Sequence, residues 1–492
     1  MGPCAMRLRW FLMLALLLGP AVAAAQPAPS ATTWYEITAD NGDRLGHASR
    51  EIVDGPEGRE IVDASEIALQ NFGDPTRRIS ERTVTRRDGA GRTVSISDHV
   101  QMGRAWSRVE ARITADAAEI VRQAPGERRA ARVALPAGVR FDAGEGLLAA
   151  WDPAATPLLE FHNFNVGALA VERITIELIP GAAADAEGRI SVLRKRYEGA
   201  ELRSVARLLL DRERRILAIS QPMFGTSFTT RIVDRATALR PHRPYSLLRN
   251  AMMRSPFRMS DSAVRGHIRY RFAFRDGIEF ALPQTGEQRV TSRPGEIVVD
   301  ICPRCGPGLA SDPATLADAL RPTLWMQSDH PRLRAIAAPV AAMGMSQASQ
   351  MALLIERARP YLLTIDFAGH FSALETLSRR TGDCTEAAVL LAALGRAAGI
   401  PTRVVSGIVY SRARYHGVSN VFMPHSWVLA YVDGRWRSFD LALDTFGASH
   451  IALTVGDGDT RSIAAASQLA SLLRWEHVAE IRSRPRARLS TP

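Results

Sequence analysis

The run at 384–399 constrains the fold most strongly, because it predicts a helix that is apolar on nearly every face. It is rich in alanine and leucine, and it ends at Gly399 with Pro401 just beyond, a common signal for the end of a helix. A helix without a polar face is poorly suited to a protein surface. We therefore expect this helix to be a buried central element.

Cys384 stands in the first turn of this predicted helix, directly after Asp383, which we interpret as a helix cap. Unpaired N–H groups and the positive end of the helix macrodipole favour the thiolate form of a cysteine placed there. Because the thiolate is the nucleophilic form, Cys384 is a candidate nucleophile. We expect its pKa to lie below the value of about 8.5 for a free cysteine, and its alkylation to occur at correspondingly lower pH.

A β-hairpin is predicted further along the chain. Residues 425–432 alternate as a strand, Asp433 and Gly434 form a two-residue turn signal, and residues 435–440 return as a second strand. A two-residue loop fixes the register, because the residues on either side of it pair with each other. The residues that share one face of the hairpin can therefore be counted.

The predicted register brings a histidine and a carboxylate together. Val432 pairs with Arg435, and counting back places Trp427 opposite Asp440. His425 lies two residues from Trp427, so it shares a face with Asp440 as a diagonal neighbour, with Cα atoms about 7–8 Å apart. The carboxylate can then hold one imidazole nitrogen and leave the other nitrogen for a nucleophile.

Cys384, His425 and Asp440 together make a candidate nucleophile, base and orienting carboxylate. In such a site the sulfur attacks an amide carbonyl, the backbone N–H of Cys384 helps to hold the oxyanion, and His425 protonates the leaving amine. We expect Trp427 and Trp436 to cover the histidine–aspartate pair and exclude water. We expect neither a cofactor nor a metal.

Four motifs occur in order around these residues, at 373–386, 399–407, 425–427 and 436–440. As an ordered set they resemble the transglutaminase-like superfamily of papain-type folds. The resemblance covers residues 320–455, about a quarter of the chain. It implies an acyl-transfer site in which Cys384 is the nucleophile, His425 the base and Asp440 the orienting residue.

The pattern along the chain predicts an α+β protein. Short alternating segments broken by turns, such as 171–179 and 266–274, indicate an antiparallel β-rich N-terminal region, either a sandwich or an open barrel. Helical runs dominate after Pro313, and strands return from Arg403 to Asp440, which is typical of a papain-like core with a central helix packed on an antiparallel sheet. We predict a signal peptide at 1–25, a β-rich N-terminal domain at 33–245, a β-rich connecting segment at 246–310, a transglutaminase-like catalytic domain at 311–460 and a basic C-terminal tail at 461–492.

The N-terminal segment predicts export. Arg7 and Arg9 precede an apolar stretch, and a run of small residues before Gln26 provides a cleavage site. No later stretch has the unbroken apolar length that a membrane span needs, so we expect a periplasmic or secreted protein. The formal charge of +11 favours anionic surfaces without indicating a mechanism, and no basic stripe interleaved with aromatics indicates nucleic-acid binding.

Three cysteines remain after the predicted cleavage: Cys302, Cys305 and Cys384. In an oxidising compartment this count favours one local pair and one free thiol, which is the thiol at the helix start. The pair at 302–305 could also be a redox dithiol or half of a zinc ribbon, although the sequence holds no second pair to complete four zinc ligands. A structural disulfide or a reduced loop pair is the default interpretation.

Other polar residues have structural roles as their default interpretation. His99 and His162 fall in the β-rich region, and His416 falls in a loop. Asp444 and His450 follow the candidate orienting residue and could line the site, but we expect them to be structural.

Two classes of function are open at this stage. The first is an exported cysteine-dependent enzyme acting on a peptide or protein amide, for example in the cell envelope, by hydrolysis or by amide exchange as in a transglutaminase. The second is a noncatalytic envelope protein in which the β-rich region binds a partner and the core is a scaffold. The complete set of Cys384, His425 and Asp440 favours the enzyme, because a scaffold has no need of all three, and we expect hydrolysis.

Overall fold

The computed structural model describes residues 31–70, 76–102, 105–125, 127–179, 181–223, 225–246, 252–255, 257–363, 370–412, 418–443 and 445–481. Over these residues the chain is mostly β-strand, and its longer helices follow residue 312, so the predicted α+β class is confirmed. The predicted signal peptide at 1–25 lies outside the described residues. No helix in these ranges combines the length and the apolar character needed to cross a bilayer.

The N-terminal region forms one antiparallel sheet that has fourteen strands in the described part of the chain. Its first strand lies inside the sheet, because β1 (Ala31–Ala39) pairs on one side with β2 (Arg44–Gly55) and on the other with β14 (Thr226–Val233). The edge strands are β8 (Glu127–Ala134) and β9 (Leu158–Asn165). The remaining strands are β3 (Gly58–Leu69), β4 (Arg77–Asp88), β5 (Thr93–Met102), β6 (Ala105–Ile113), β7 (Ala117–Ala124), β10 (Ala170–Leu178), β11 (Ile190–Glu198), β12 (Glu201–Leu210) and β13 (Ile216–Met223).

The sheet is strongly curved, because side chains from its two ends pack together. Ile96 on β5 and Ile120 on β7 share an apolar cluster with Phe164 on β9. The segment that connects β8 to β9 also runs alongside β9. The N–H of Arg140 donates to the carbonyl of His162, and the N–H of Phe164 donates to the carbonyl of Arg140. A single antiparallel sheet thus encloses its own apolar interior.

The rest of the chain forms two smaller antiparallel sheets and most of the helices. Its strands are β15 (Met253–Arg254), β16 (Ile268–Phe274), β17 (Gln288–Arg293), β18 (Glu296–Ile301), β19 (Thr402–Ser411), β20 (Val421–Val432), β21 (Arg435–Phe439), β22 (His450–Gly456) and β23 (Leu473–Glu480). The helices of the described chain are α1 (Glu145–Ala149), α2 (Arg235–Ala238), α3 (Asp261–Arg265), α4 (Pro313–Asp318), α5 (Pro331–Ala341), α6 (Gln347–Ala358), α7 (Ala373–Arg379), α8 (Cys384–Ala397) and α9 (Thr460–Leu472). One sheet has the order β15, β20, β19, β22 with β21 on β20, and the other has the order β17, β18, β16, β23.

The predicted central helix is α8, and its burial is confirmed. It packs against α5, α6 and α7 and against β19 and β20. All its side chains from Glu386 to Arg396 are buried. It begins at Cys384 as predicted, and Gly399 follows its end with a φ of 81°, the left-handed conformation that favours glycine after a helix.

The predicted hairpin is also confirmed, as β20 and β21. Val432 pairs with Arg435, which is the register expected from the two-residue turn. Asp433 and Gly434 have φ values of 52° and 79°, so both central residues adopt the positive φ that a type I′ turn requires. The turn residues therefore set which side chains of the two strands face each other.

The predicted basic tail at 461–492 is corrected over its first part. Residues there form α9 and β23, and β23 completes the sheet beside β16. Leu469 and Leu472 of α9 are buried in an apolar cluster with Phe272 of β16. Their spacing of three residues is typical of one face of a helix and could have indicated α9. Residues 482–492 lie outside the described chain.

Cys302 and Cys305 form a disulfide in the loop after β18, which agrees with the default interpretation of this pair. The same loop lies against the turn end of the hairpin, where a guanidinium nitrogen of Arg435 donates to the carbonyl of Pro303 at 3.5 Å. Asp440 follows the opposite end of β21. The disulfide therefore supports the hairpin at the end away from the candidate carboxylate.

Replacing both Cys302 and Cys305 with serine should lower thermal stability and leave turnover per folded molecule unchanged. The disulfide closes a very short loop, so chain-entropy arguments limit its contribution to about 2 kcal/mol. Thermal unfolding should be compared with the wild type, with and without a reductant, because reduction of the wild type should reproduce the shift. A large loss of turnover at unchanged stability would contradict this structural role.

A buried cluster of charged groups joins the N-terminal sheet to the helical core. This interface cluster consists of Arg122 on β7, Glu127 at the start of β8 and Glu375 on α7. Guanidinium nitrogens of Arg122 lie 3.7 Å from Glu127 Oε2 and 3.5 Å from Glu375 Oε2. The Ser372 hydroxyl, which caps α7, donates to Glu127 Oε2 at 2.9 Å, and the Arg122 guanidinium lies 4.4 Å above the Trp325 ring. The sheet thus supplies partners to the segment that precedes α8.

Candidate active site

The structure brings His425 and Asp440 into direct contact. Nε2 of His425 lies 2.6 Å from Oδ2 of Asp440, and both side chains are buried. The contact follows from the hairpin, since His425 is on β20 and Asp440 comes directly after β21. Because Nε2 faces a carboxylate, we assign the ring proton to Nε2, which leaves Nδ1 to accept a proton.

Asp440 is held at both of its oxygens. Oδ1 accepts hydrogen bonds from the backbone N–H groups of Ala442 and Leu443, each at 2.9 Å. Oδ2 is contacted by His425 and also by His450, whose Nε2 lies at 3.0 Å. Burial alone would raise the pKa of Asp440, but the two imidazoles hold it well below its ordinary range. The group is therefore an ionised carboxylate with a fixed orientation.

His450 contacts the candidate orienting residue, so it lines the site, which the sequence had left open beside the expected structural role. It is the first residue of β22, and β22 reaches the site because it pairs with β19, the neighbour of β20. Burial lowers the pKa of His450, so its ring is neutral near pH 7. The alternation at 450–456 could have indicated a strand, but the strand it pairs with could not be read from that segment.

Cys384 begins α8 beside the hairpin. Its side chain is half-buried, and the backbone N–H of Ser426, the residue after His425, interacts favourably with its thiolate form. Burial and then the negative charge of Asp383 outweigh that interaction and raise the pKa of Cys384 well above its ordinary value. The expected lowering of this pKa by the helix position is therefore wrong, and the resting group is a neutral thiol.

Alkylation of Cys384 should consequently increase with pH up to and beyond about pH 8.5, where a free cysteine titrates. The reactive thiolate forms only when the raised pKa is approached, so Cys384 should react more slowly near neutral pH than a cysteine in an unstructured peptide. Modification by iodoacetamide can be followed by mass spectrometry over this pH range, with such a peptide as the reference. A rate that already reaches its plateau near neutral pH would contradict the raised pKa.

The start of α8 is fixed by a capping box, which confirms Asp383 as the helix cap. The Asp383 carboxylate accepts from the N–H of Thr385 at 2.7 Å, and Glu386 accepts from the N–H of Asp383 at 2.8 Å. The other Glu386 oxygen accepts from the N–H of Phe371 at 3.1 Å, which ties the helix start to the segment before α7. Gly382 is required here, because a Cβ at this position would lie 2.5 Å from the Cβ of Glu386.

The two tryptophans occupy different positions. Trp427 is fully buried and its ring stacks beside His425 at a centroid distance of 6.1 Å, as expected of a residue that covers the pair. Trp436 packs instead on Tyr431 at 5.6 Å, and its indole N–H donates to the carbonyl of Ala310 at 3.2 Å. The expected covering role is therefore not seen for Trp436, which joins the hairpin to the segment before α4.

Two groups of the described residues bring three potential metal-ligand atoms within 4.8 Å of one another. The first is Asp440 with its two histidines, where direct hydrogen bonds already account for the short spacing. The second is His267 with Cys302 and Cys305, where both sulfurs belong to the disulfide. Neither arrangement gives a reason to assign a metal ion.

Two of the remaining polar candidates, His99 and His162, do not join this site. His99 on β5 and His162 on β9 belong to the N-terminal sheet. His416 and Asp444 lie outside the described residues.

Comparison with known proteins gives one family match. Residues 334–441 match the transglutaminase-like superfamily, and no curated protein matches the chain. A candidate cysteine protease from Cytophaga hutchinsonii is 16% identical, with 44% of this chain and 84% of that chain covered and a TM-score of 0.28. A candidate protease from Parabacteroides distasonis is 14% identical, with coverages of 65% and 70% and a TM-score of 0.19.

A third structure, a β-barrel-like protein of a domain of unknown function from Brucella abortus, is 13% identical. It covers 42% of this chain and 96% of its own length, with a TM-score of 0.34. TM-scores this low do not establish a shared overall fold. The family match is the informative result, because residues 334–441 include α8, the hairpin and Cys384, His425 and Asp440. The resemblance carried by the four sequence motifs is thereby confirmed for residues 334–441, which are similar to the transglutaminase-like superfamily.

Proposed function

We propose that the protein is an exported cysteine-dependent enzyme that hydrolyses amide bonds in peptides or proteins. Cys384 is the nucleophile, His425 the base and Asp440 the orienting carboxylate. The observation that carries the proposal is the 2.6 Å contact between His425 and Asp440. The next residue on the strand, Ser426, interacts through its backbone with the Cys384 sulfur. The transglutaminase-like match supports a cysteine-type enzyme at the level of the family.

The reaction begins from the neutral thiol. Nδ1 of His425 takes the proton from Cys384 as the sulfur attacks the amide carbonyl carbon. The backbone N–H of Cys384 forms no hydrogen bond among the described residues, so it is available to the oxyanion. The C–N bond then breaks, and His425 gives its proton to the departing amine. Water, deprotonated by His425, attacks the thioester and releases an acid and the free thiol.

Hydrolysis is favoured over amide exchange by the incomplete cover over the nucleophile. Cys384 is half-buried rather than enclosed, and Trp436 does not cover the pair. One of the two expected barriers to water is therefore missing. Export is supported by the sequence pattern of residues 1–25 and by the Cys302–Cys305 disulfide, since disulfides persist in oxidising compartments.

The choice between hydrolysis and exchange can be tested by competition. The mature protein is offered glutamine-containing peptides together with an excess of a primary amine, and all products are followed by mass spectrometry. Free acid or cleaved peptide as the main product supports hydrolysis. An amine adduct as the main product, absent with the Cys384→Ala variant, would replace our proposal with a transglutaminase.

Replacing Asp440 with asparagine should reduce turnover by about 10²–10⁴-fold while Cys384 remains open to alkylation, because the imidazole loses its orienting charge and the nucleophile remains. The amide can also present an N–H to His425 and so favour the wrong tautomer. Turnover and iodoacetamide labelling are measured on the same preparation. Turnover close to that of the wild type would show that Asp440 does not orient the base.

A further inference from the structure

We infer that His450 is a positioning residue for the proposed reaction, because it holds the Asp440 carboxylate in the orientation that directs His425. The inference rests on the proposed function. It starts from one shared atom, since Nε2 of His425 and Nε2 of His450 lie 2.6 Å and 3.0 Å from the same Oδ2 of Asp440. Neither sequence motifs nor the usual three-residue scheme requires this second imidazole.

The contact from His450 completes the set of donors around the carboxylate. Two backbone N–H groups hold Oδ1, so rotation of the carboxyl group is resisted at that oxygen. At Oδ2 the other donor is His425. Its ring gains and loses a proton during the proposed reaction, so the charge that faces Asp440 changes. His450 supplies a constant hydrogen bond to the same oxygen, so Asp440 keeps its orientation while the charge on His425 changes.

His450 is itself held rigidly. It is buried, and the rings of Phe446 and Trp427 lie 4.7 Å and 5.2 Å from its ring. Its Nδ1 lies 3.3 Å from the backbone nitrogen of Gly447, which can donate to it, and 3.1 Å from the carbonyl of the same residue. For a neutral ring, acceptance at Nδ1 places the proton on Nε2, which then donates to Asp440.

The same geometry separates the roles of the two histidines. Both rings use Nε2 for Asp440, but Nδ1 of His450 is engaged by Gly447 and is therefore not free to take the proton of the nucleophile. His425 precedes Ser426, whose backbone interacts with the Cys384 sulfur. His450 therefore acts through Asp440 and is not a second base.

A matched pair of variants tests this role. His450→Phe keeps a ring of similar size and removes the donor, and we expect kcat to fall about 10–100-fold with little change in KM, as for a small misplacement of a catalytic group. His450→Gln places an amide N–H near the position of Nε2, and it should recover most of the lost kcat. A merely structural residue would give no such rescue, because phenylalanine is the better packing substitute.

His267 provides the control, since its Nε2 contacts Asp300 Oδ1 at 2.9 Å in another histidine–aspartate pair. His267→Phe should leave kcat unchanged. The inference is overturned if His450→Phe retains wild-type kcat, or if the Gln variant is as slow as the Phe variant at equal folded content.

A readout without substrate separates this inference from the proposed function. In ¹⁵N-histidine NMR spectra, His425 should be protonated at Nε2 in the wild type and in His450→Gln, and its tautomer signal should shift in His450→Phe. An unchanged His425 signal in His450→Phe would overturn the inference even where no amide substrate is turned over. Absence of turnover in the wild type with the expected NMR shift would reject the proposed function alone.

Discussion

Replacing Cys384 with alanine should reduce amide cleavage by about 10⁴-fold or more, because the sulfur forms the bond on which every later step depends. The side chain is half-buried at a helix start, so the loss of one sulfur atom should cost about 1 kcal/mol of stability or less. The capping box that fixes this end of α8 uses Asp383 and Glu386 and is unaffected by the change. Turnover is measured with a cleaved peptide, and folding is checked by thermal unfolding.

Two further variants make this result specific to the nucleophile. Cys384→Ser keeps the size and polarity of the side chain and should also be inactive, because a hydroxyl is a far weaker nucleophile than a thiolate near neutral pH. The Cys302→Ser/Cys305→Ser double variant should stay active, which excludes a general effect of removing sulfur. Residual cleavage by Cys384→Ala close to that of the wild type would reject the cysteine mechanism.

Replacing Arg122 with methionine should destabilise the protein by about 3–5 kcal/mol, the usual cost of removing one partner from a buried charged group. Methionine fills much of the space of the arginine stem but removes the cation that Glu127 and Glu375 share, so that Glu375 loses its ion pair while Glu127 keeps Arg129 at 3.6 Å. The Arg122 guanidinium also lies over Trp325, so the variant loses that contact. The measurement is the urea midpoint, compared by fluorescence and circular dichroism.

Arg132→Met on the neighbouring strand β8 is the matched control. Arg132 contacts Asp116 at 2.6 Å, but both side chains are largely exposed, so the same chemical change should leave the midpoint almost unchanged. Adding Glu375→Gln to Arg122→Met should restore part of the stability, because it removes the buried negative charge that had been paired with Arg122. Equal midpoints for the Arg122 and Arg132 variants would show that the interface cluster does not hold the sheet to the core.

Features with local sequence signals could be predicted. The hairpin register followed from Asp433 and Gly434, since a two-residue turn with two positive φ values permits only one pairing. The position of Cys384 followed from the cap before it and the glycine after the helix. The hairpin register alone is enough to bring His425 and Asp440 together.

Features that depend on distant partners could not be predicted. His450 reaches Asp440 only because β22 pairs with β19, and no residue near His450 identifies that partner. Arg122 and Glu375 meet although one belongs to the N-terminal sheet and the other to α7. The pKa of Cys384 was wrongly predicted for a related reason, because the helix position was visible in the sequence whereas the surroundings that raise the pKa of the thiol were not.

The pairing of β16 with β23 affects the order in which the protein can be made. Ile268 pairs with Glu480, so one edge of β16 has no partner until the chain has been synthesised through that residue. At synthesis rates of about 5–20 residues per second, the interval between the synthesis of Ile268 and that of Glu480 is on the order of 10 to 40 s. An unpaired strand edge readily pairs with other chains. Until residues 473–480 are available, β16 therefore has one edge that is open to pairing with other chains.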